Sequence, residues 1–184
     1  MALPQLQTLV EIEAAVWQAL ARAPHDKHHD WRTPVLATVD GEAADARTVV
    51  LREVDAAART LIFFSDARAA KVAQLQRQPL CMLVMWSPRL GWQLRLRVAL
   101  QAQTEGLAVT SRWARLALSP AAHDYMAPQP PGSALDAPPP PQKESREHFA
   151  VLTALVQSVD WLELHPQGHR RARFDAEGAR WLVP

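Results

Sequence analysis

Residues 47–71, RTVVLREVDAAARTLIFFSDARAAK, decide how this chain is read. ARTVVLREV (46–54) and TLIFF (60–64) are β-branched and aromatic runs that predict two strands. The second strand ends at Ser65 and Asp66, both good helix N-caps, and ARAAKVAQLQRQ (67–78) is a helix former closed by Pro79. Cations punctuate the stretch: Arg47 opens the first strand, Arg52 follows it, and Arg68 and Lys71 fall in the first turns of the helix. Free N–H groups and a positive dipole end at a helix N-terminus, together with the planar fork of Arg47, suit a phosphate-sized anion. The same spacing equally describes rim cations on a solvated face. Arg47 and Arg52 also differ in parity, so a regular strand points them to opposite faces. Sharing a role would require a bulge or a strand end between them.

Upstream, Leu6, Leu9, Val10, Val16, Trp17 and Leu20 recur at helical spacing and predict an amphipathic helix within residues 1–24, packed on a sheet and ending before Pro24. HDKHHD (25–30) places three histidines beside two aspartates. Such groups ligate metals, but no second ligand cluster follows, and the segment is read as a polar linker with no metal. PVLATV (34–39), the Asp40–Gly41 turn and the arm from Ala46 form a hairpin.

Downstream, LCMLVMW (80–86) is a fourth strand and WQLRLRVALQAQ (92–103) a fifth. The fifth alternates, with Leu94, Leu96, Val98, Leu100 and Ala102 on one side and Gln93, Arg95, Arg97, Gln101 and Gln103 on the other, as a half-buried antiparallel strand does. Residues 107–126 are expected to be helical, with Trp113 and Leu116 on the apolar face. The proline-rich stretch 127–142 is read as a surface loop, or as a ligand for an aromatic groove. A helix is expected over 143–156, and VDWLEL (159–164), HRRARF (169–174) and ARWLVP (179–184) as closing strands. Strands in hairpin order with few helices between them indicate an antiparallel barrel or sandwich, mainly β with helices, in one domain spanning 1–184.

The balance of 20 basic and 19 acidic side chains, net +1, leaves no whole-protein field for a nucleic acid or an anionic membrane. One cysteine, Cys81, excludes an internal disulfide. The apolar run Leu80–Trp86 is too short to span a bilayer, and the opening residues lack a secretory pattern, so a cytoplasmic, soluble protein is expected. Neither GxGxxG nor GxxxxGK[ST] occurs. No constellation for nucleophilic or metal catalysis is present, and no catalytic residue is assigned; His123 and His169 are candidate acid–base groups, though isolated histidines are usually structural or solvated.

The series R-x-V-x-L-R (47–52), FFS (63–65), a helix with a lysine, Q-P (78–79), an apolar strand ending in Trp86, W-Q-L-R-L (92–96) and the closing HRRARF with W-L-V-P resembles the pyridoxamine 5'-phosphate oxidase family from about Trp31 to Pro184. The resemblance implies a split β-barrel, an obligate homodimer and FMN at the dimer interface. It would place Arg47 on the FMN phosphate and the backbone of Val49, Val50 and Leu51 along the flavin. Phe64 and Ser65 match the aromatic-hydroxyl pair, Lys71 the phosphate-binding lysine, Gln93 the glutamine that touches the flavin, and Arg173 the arginine of the closing strand. Ala69-Ala70-Lys71 replaces the family's Ser-Arg-Lys, so a hydroxyl and a cation are missing, and Arg68 is the candidate to compensate.

On the substrate side Arg52 takes a lysine's place, Trp113 a tyrosine's, and the closing Arg-x-His pair is inverted as His169-x-Arg171; Tyr125 lies nearby by the same alignment. These departures imply a divergent member rather than the authentic oxidase. The expected activity is FMN-dependent hydride transfer with a small molecule, the alternative a flavin-binding sensor or carrier without turnover.

Overall fold

The computed structural model describes residues 5–138 and 147–184. Helix α1 (Leu9–Arg22) opens on a capping box, in which Thr8 Oγ1 accepts from Glu11 N at 3.2 Å and the Glu11 carboxylate accepts from Thr8 N at 3.0 Å. It buries Ile12, Val16 and Leu20. Val10, expected in the apolar stripe, is instead exposed on the far side of the helix.

Among the described residues, nine strands form one antiparallel sheet. β1 (Val35–Asp40) and β2 (Ala43–Thr48) are the predicted hairpin, with Thr38 opposite Asp45 and Leu36 opposite Arg47. The expected single arm 46–54 is broken at Val49–Val50. After the break, β3 (Leu51–Asp55) pairs with β4 (Thr60–Asp66), not with β1. The principal strand order is β2-β1-β5-β6-β7-β4-β3, so two consecutive strands sit at opposite ends of the sheet. Val49 N, donating to Pro34 O at 2.9 Å, holds the crossing point. β2 and β3 do not pair with each other, and the result is an antiparallel barrel left open along that seam, the expected split barrel.

β5 (Leu80–Ser87) and β6 (Trp92–Gln103) pair in unbroken register. β6 keeps the predicted alternation, with Leu94, Leu96, Val98 and Leu100 buried. The turn between them contains Gly91 at φ +65°, where an added Cβ would stand 2.7 Å from Leu164 O. Only glycine fits there.

β7 (Phe149–Glu163) is the central strand, flanked by β6 on one edge and by β4 and then β8 (Arg170–Asp175) on the other; β9 (Gly178–Leu182) closes on β8. The helix expected over 143–156 is therefore corrected. Residues 143–146 lie outside the described residues, as do 139–142 of the proline-rich stretch, and from Phe149 onward the chain is strand. Phe149–Leu152 is buried without alternation, and an apolar run of that kind is fitted equally well by helical spacing.

The helix expected over 107–126 is also shorter. α3 (Leu107–Leu116) ends before Pro120, which has no N–H to donate, and a 3-10 segment (Pro120–Tyr125) follows. Trp113, Leu116 and Tyr125 pack with Ile62, Phe149 and Val151 into a second core beneath α3, beside the main core inside the barrel.

Candidate functional site

Arg47 projects from β2 onto the core face, in a row with Leu36, Leu83, Leu96 and Val159. Its guanidinium donates to Thr38 Oγ1 at 2.5 Å and to Gln74 Oε1 at 3.2 Å, and pairs with Asp45. Gln74 of α2 (Ala70–Arg77) in turn donates to Asp45 at 2.9 Å, and its bond to Thr38 closes the network. Lys71, one turn before Gln74, sits against this network with no hydrogen bond or ion pair to any described residue. Burial depresses its pKa first and the neighbouring Arg47 second, with Asp66 and Asp45 opposing. A half-buried ammonium without a partner, beside a guanidinium, is an arrangement that an anion would complete.

The first turn of α2 adds donors of the same kind. Ala69 is its N-cap and offers no side-chain oxygen, so the leading N–H groups are uncapped by side chains. The expected helix start at Asp66 is corrected by this: Asp66 ends β4 and serves Arg68. It accepts from Arg68 N at 2.8 Å and Arg68 Nη2 at 2.7 Å, while the same guanidinium donates to the carbonyls of Ala127 and Pro128 at 2.6 and 2.9 Å. Arg68 fastens the 127–128 segment to the end of β4. In this conformation the candidate to compensate for the Ala69–Ala70 positions is committed to Asp66 and those two carbonyls.

Arg52 lies at a bulge in β3, where the register with β4 shifts between Leu51 and Glu53. The strand break and this bulge separate Arg47 from Arg52, resolving their parity. Arg52 lies over the Phe64 ring, 5.6 Å from its centroid, and donates to Tyr125 Oη at 3.2 Å, while its buried Nε finds no partner. Phe64 meets Tyr125 and Phe149 edge-on at 6.3 and 5.0 Å. Ser65 is buried and donates to Asp66 O at 3.0 Å. Val49 and Leu51 are buried and Val50 is half-buried. Trp113 is a member of the core beneath α3, 5.2 Å from Phe149.

Gln93, Arg171 and Arg173 stand elsewhere. The row Thr48–Val35–Val84–Arg95–Asp160–Arg173 and the row Trp86–Gln93–Leu162–Arg171 run across the outer face of the sheet. Arg171 is held by Asp160 through two bonds of 3.0 and 2.7 Å, and Arg173 donates to Asp175 at 2.8 Å. Asp175 also takes Arg180, whose hydrogen bond is the largest cause holding its pKa down to about 2. His169 Nδ1 accepts from His165 N at 3.2 Å in the turn before β8. Because alternate residues of a strand face opposite sides, one chain does not bring Gln93 and Arg173 to Arg47 and Lys71.

Thr38, Asp45 and Gln74 were not singled out from the sequence. The hairpin register would have found the first two: a turn at Asp40–Gly41 sets Asp45 across from Thr38 and two residues from Arg47 on the same face.

Residues 14–103 match the model of the pyridoxamine 5'-phosphate oxidase FMN-binding domain. A pyridoxamine 5'-phosphate oxidase-related, FMN-binding protein from Nostoc punctiforme is 25% identical and superposes over 93% of this chain and 96% of its own, with a TM-score of 0.73. Residues 14–103 belong to the pyridoxamine 5'-phosphate oxidase-like family. PhzG from Burkholderia lata 383, solved with tetrahydrophenazine-1-carboxylic acid, is 16% identical over the full length of both chains at a TM-score of 0.69. A putative pyridoxamine 5'-phosphate oxidase from Listeria innocua, also 16% identical, covers 80% of this chain and 95% of its own at a TM-score of 0.54. These two share the fold with this chain. No curated protein matches its sequence significantly.

Proposed function

We propose that this protein is an FMN-dependent oxidoreductase that works as a homodimer and passes hydride between the flavin and a small molecule. The observation that carries the reading is Lys71, a half-buried ammonium with no hydrogen bond or ion pair among the described residues, beside Arg47 at the start of α2, which no side chain caps. That donor set fits a phosphate dianion: two cations of different geometry, and N–H groups pointing along the helix axis. When bound, the flavin would supply the reversible two-electron chemistry. The chain's own residues bind and orient: Lys71 and Arg47 the phosphate, the Val49–Leu51 backbone and Phe64–Ser65 the ring system.

The dimer is supported by the placement of Gln93 and Arg173 on the opposite face from Lys71, so that both groups meet one ligand only when a second copy presents its outer face. That face is apolar where a partner would cover it, with Val35, Val39, Trp86 and Leu155 all exposed. The substrate differs from that of the authentic oxidase, since Trp113 is packed in a core and Arg171 is committed to Asp160. A soluble, cytoplasmic setting agrees with the described residues, among which no helix is long and apolar enough to cross a membrane.

The test is the visible spectrum of the purified protein with mass identification of what it releases on denaturation, together with light scattering for its size. A colourless monomer that refuses added FMN would sink the reading. A yellow dimer whose reduced flavin is reoxidised by no acceptor would make it a carrier or sensor instead.

A further inference from the structure

A cavity of about 510 Å³ lies between α1, the turn at residues 26–29 and the β5–β6 turn. It is on the other side of the sheet from Gln93, since its wall is Trp92, the preceding residue. Ala15 and Ala19 of α1 and Leu90 of the turn complete an apolar floor. Trp92 is a rigid wall: it stacks on Trp31 at 6.4 Å, meets Trp161 edge-on at 5.4 Å and donates its Nε1–H to Glu163 at 3.0 Å.

The rim is cationic. Arg22 and Arg89 both line the cavity, and neither forms a hydrogen bond or ion pair with its side chain to any described residue. Arginines elsewhere on the surface, such as Arg112, Arg171 and Arg180, are held by carboxylates. His29 joins them from within. It is buried, and its Nδ1 accepts from Trp31 N at 3.1 Å, so the proton of the neutral ring sits on Nε2 as a donor. Burial and then Arg89 keep its pKa below the ordinary value, against Asp26 and Asp30. The one carboxylate on the rim, Asp26, already accepts from His28 N at 2.9 Å.

We propose that this cavity is a second ligand site, distinct from the Arg47–Lys71 cluster, that takes an aromatic monocarboxylate of about two fused rings. The carboxylate is held by Arg22 and Arg89 with a bond from His29, and the rings lie against Trp92 over the alanine floor. The volume falls within the roughly 300–1,000 Å³ of small-molecule pockets, and the lining has their usual make-up of apolar wall and few polar groups.

The test is titration of the purified protein with 1-naphthoate, followed by tryptophan fluorescence and calorimetry. One saturable site per chain is expected. The double variant Arg22→Gln/Arg89→Gln and the neutral analogue 1-naphthalenemethanol should each weaken binding by at least about tenfold, the loss expected for a charge-assisted bond. Both arginines are exposed, so the double variant folds. Lys71→Met should bind naphthoate as the parent does. No saturable binding, equal affinity for the alcohol, or loss in Lys71→Met with none in the double variant would each overturn the proposal.

Discussion

Replacing Lys71 by methionine separates the cost of the ammonium from its use. Without ligand, the charged amine is desolvated and faces Arg47, with no hydrogen bond or ion pair among the described residues, and these effects outweigh the pull of Asp66 and Asp45, so its folded pKa lies below the ordinary 10.5. In a lysine of lowered pKa the unfolded chain holds more protons through the interval between the two values, so stability rises as pH climbs from the folded pKa toward 10.5. At neutral pH the charge is a net burden. Methionine, similar in length and apolar, should stabilise the ligand-free protein by about 1 kcal/mol. For a chain of this size that raises Tm by roughly 2–4 °C. The gain should shrink as the buffer is taken to pH 10. FMN binding should move the other way. Loss of one charge-assisted bond to phosphate costs about 1.5–3 kcal/mol, which is roughly 10- to 100-fold in Kd. Calorimetry on ligand-free protein and fluorescence titration with FMN read the two effects. A variant that is less stable without ligand, or one that binds FMN as tightly as the parent, would refute the assignment of Lys71 as an anion ligand in waiting.

Three other outcomes follow from the packing. Glu163, buried and accepting from Gln5, Trp92 Nε1 and Arg170 Nε at 3.1, 3.0 and 2.8 Å, should cost about 3 kcal/mol as Glu163→Gln in urea unfolding at pH 7. Burial raises its pKa, but those bonds more than offset the rise, so the parent's advantage should fade as pH drops below 4.5. Gly91→Ala forces a Cβ within 2.7 Å of Leu164 O at a positive φ and should lower stability by about 2 kcal/mol or more, read by thermal melting. Tyr125→Phe removes the acceptor of Arg52 and should cost about 1–2 kcal/mol in the same assay, with a Tm equal to the parent's counting against the contact.

The elements legible from sequence were those whose pattern is local. β6 alternates because one face is buried and the other is not, and α1 carries its cap and stripe within its own residues. The break at Val49–Val50 has no such signal. Two valines favour extension, and the chain departs there only because β4, not β1, offers the next partner. The start of β7 reads as a helix because Phe149–Leu152 is buried without alternation, which hides the period-2 pattern that appears from Thr153 onward. The start of α2 was displaced because Asp66, a good cap by type, is occupied by Arg68. In the site, cation spacing and the family resemblance both point to Arg47 and Lys71, and the fold sets them side by side. Arg173, matched to the arginine of the closing strand, lies on the other face within one chain, a placement that only the register across β6, β7 and β8 reveals.

The strand order also dictates when the barrel can form during synthesis. β4 carries Leu61, Ile62, Phe63 and Phe64, and its inner edge is satisfied only by β7, where Thr60 meets Leu155. Until the ribosome has released that distant segment, the nascent chain holds a hairpin of β3 and β4 with one apolar edge open to any passing strand. Arg59 before the run and Asp66 with Arg68 after it are the charges that guard the edge while it waits.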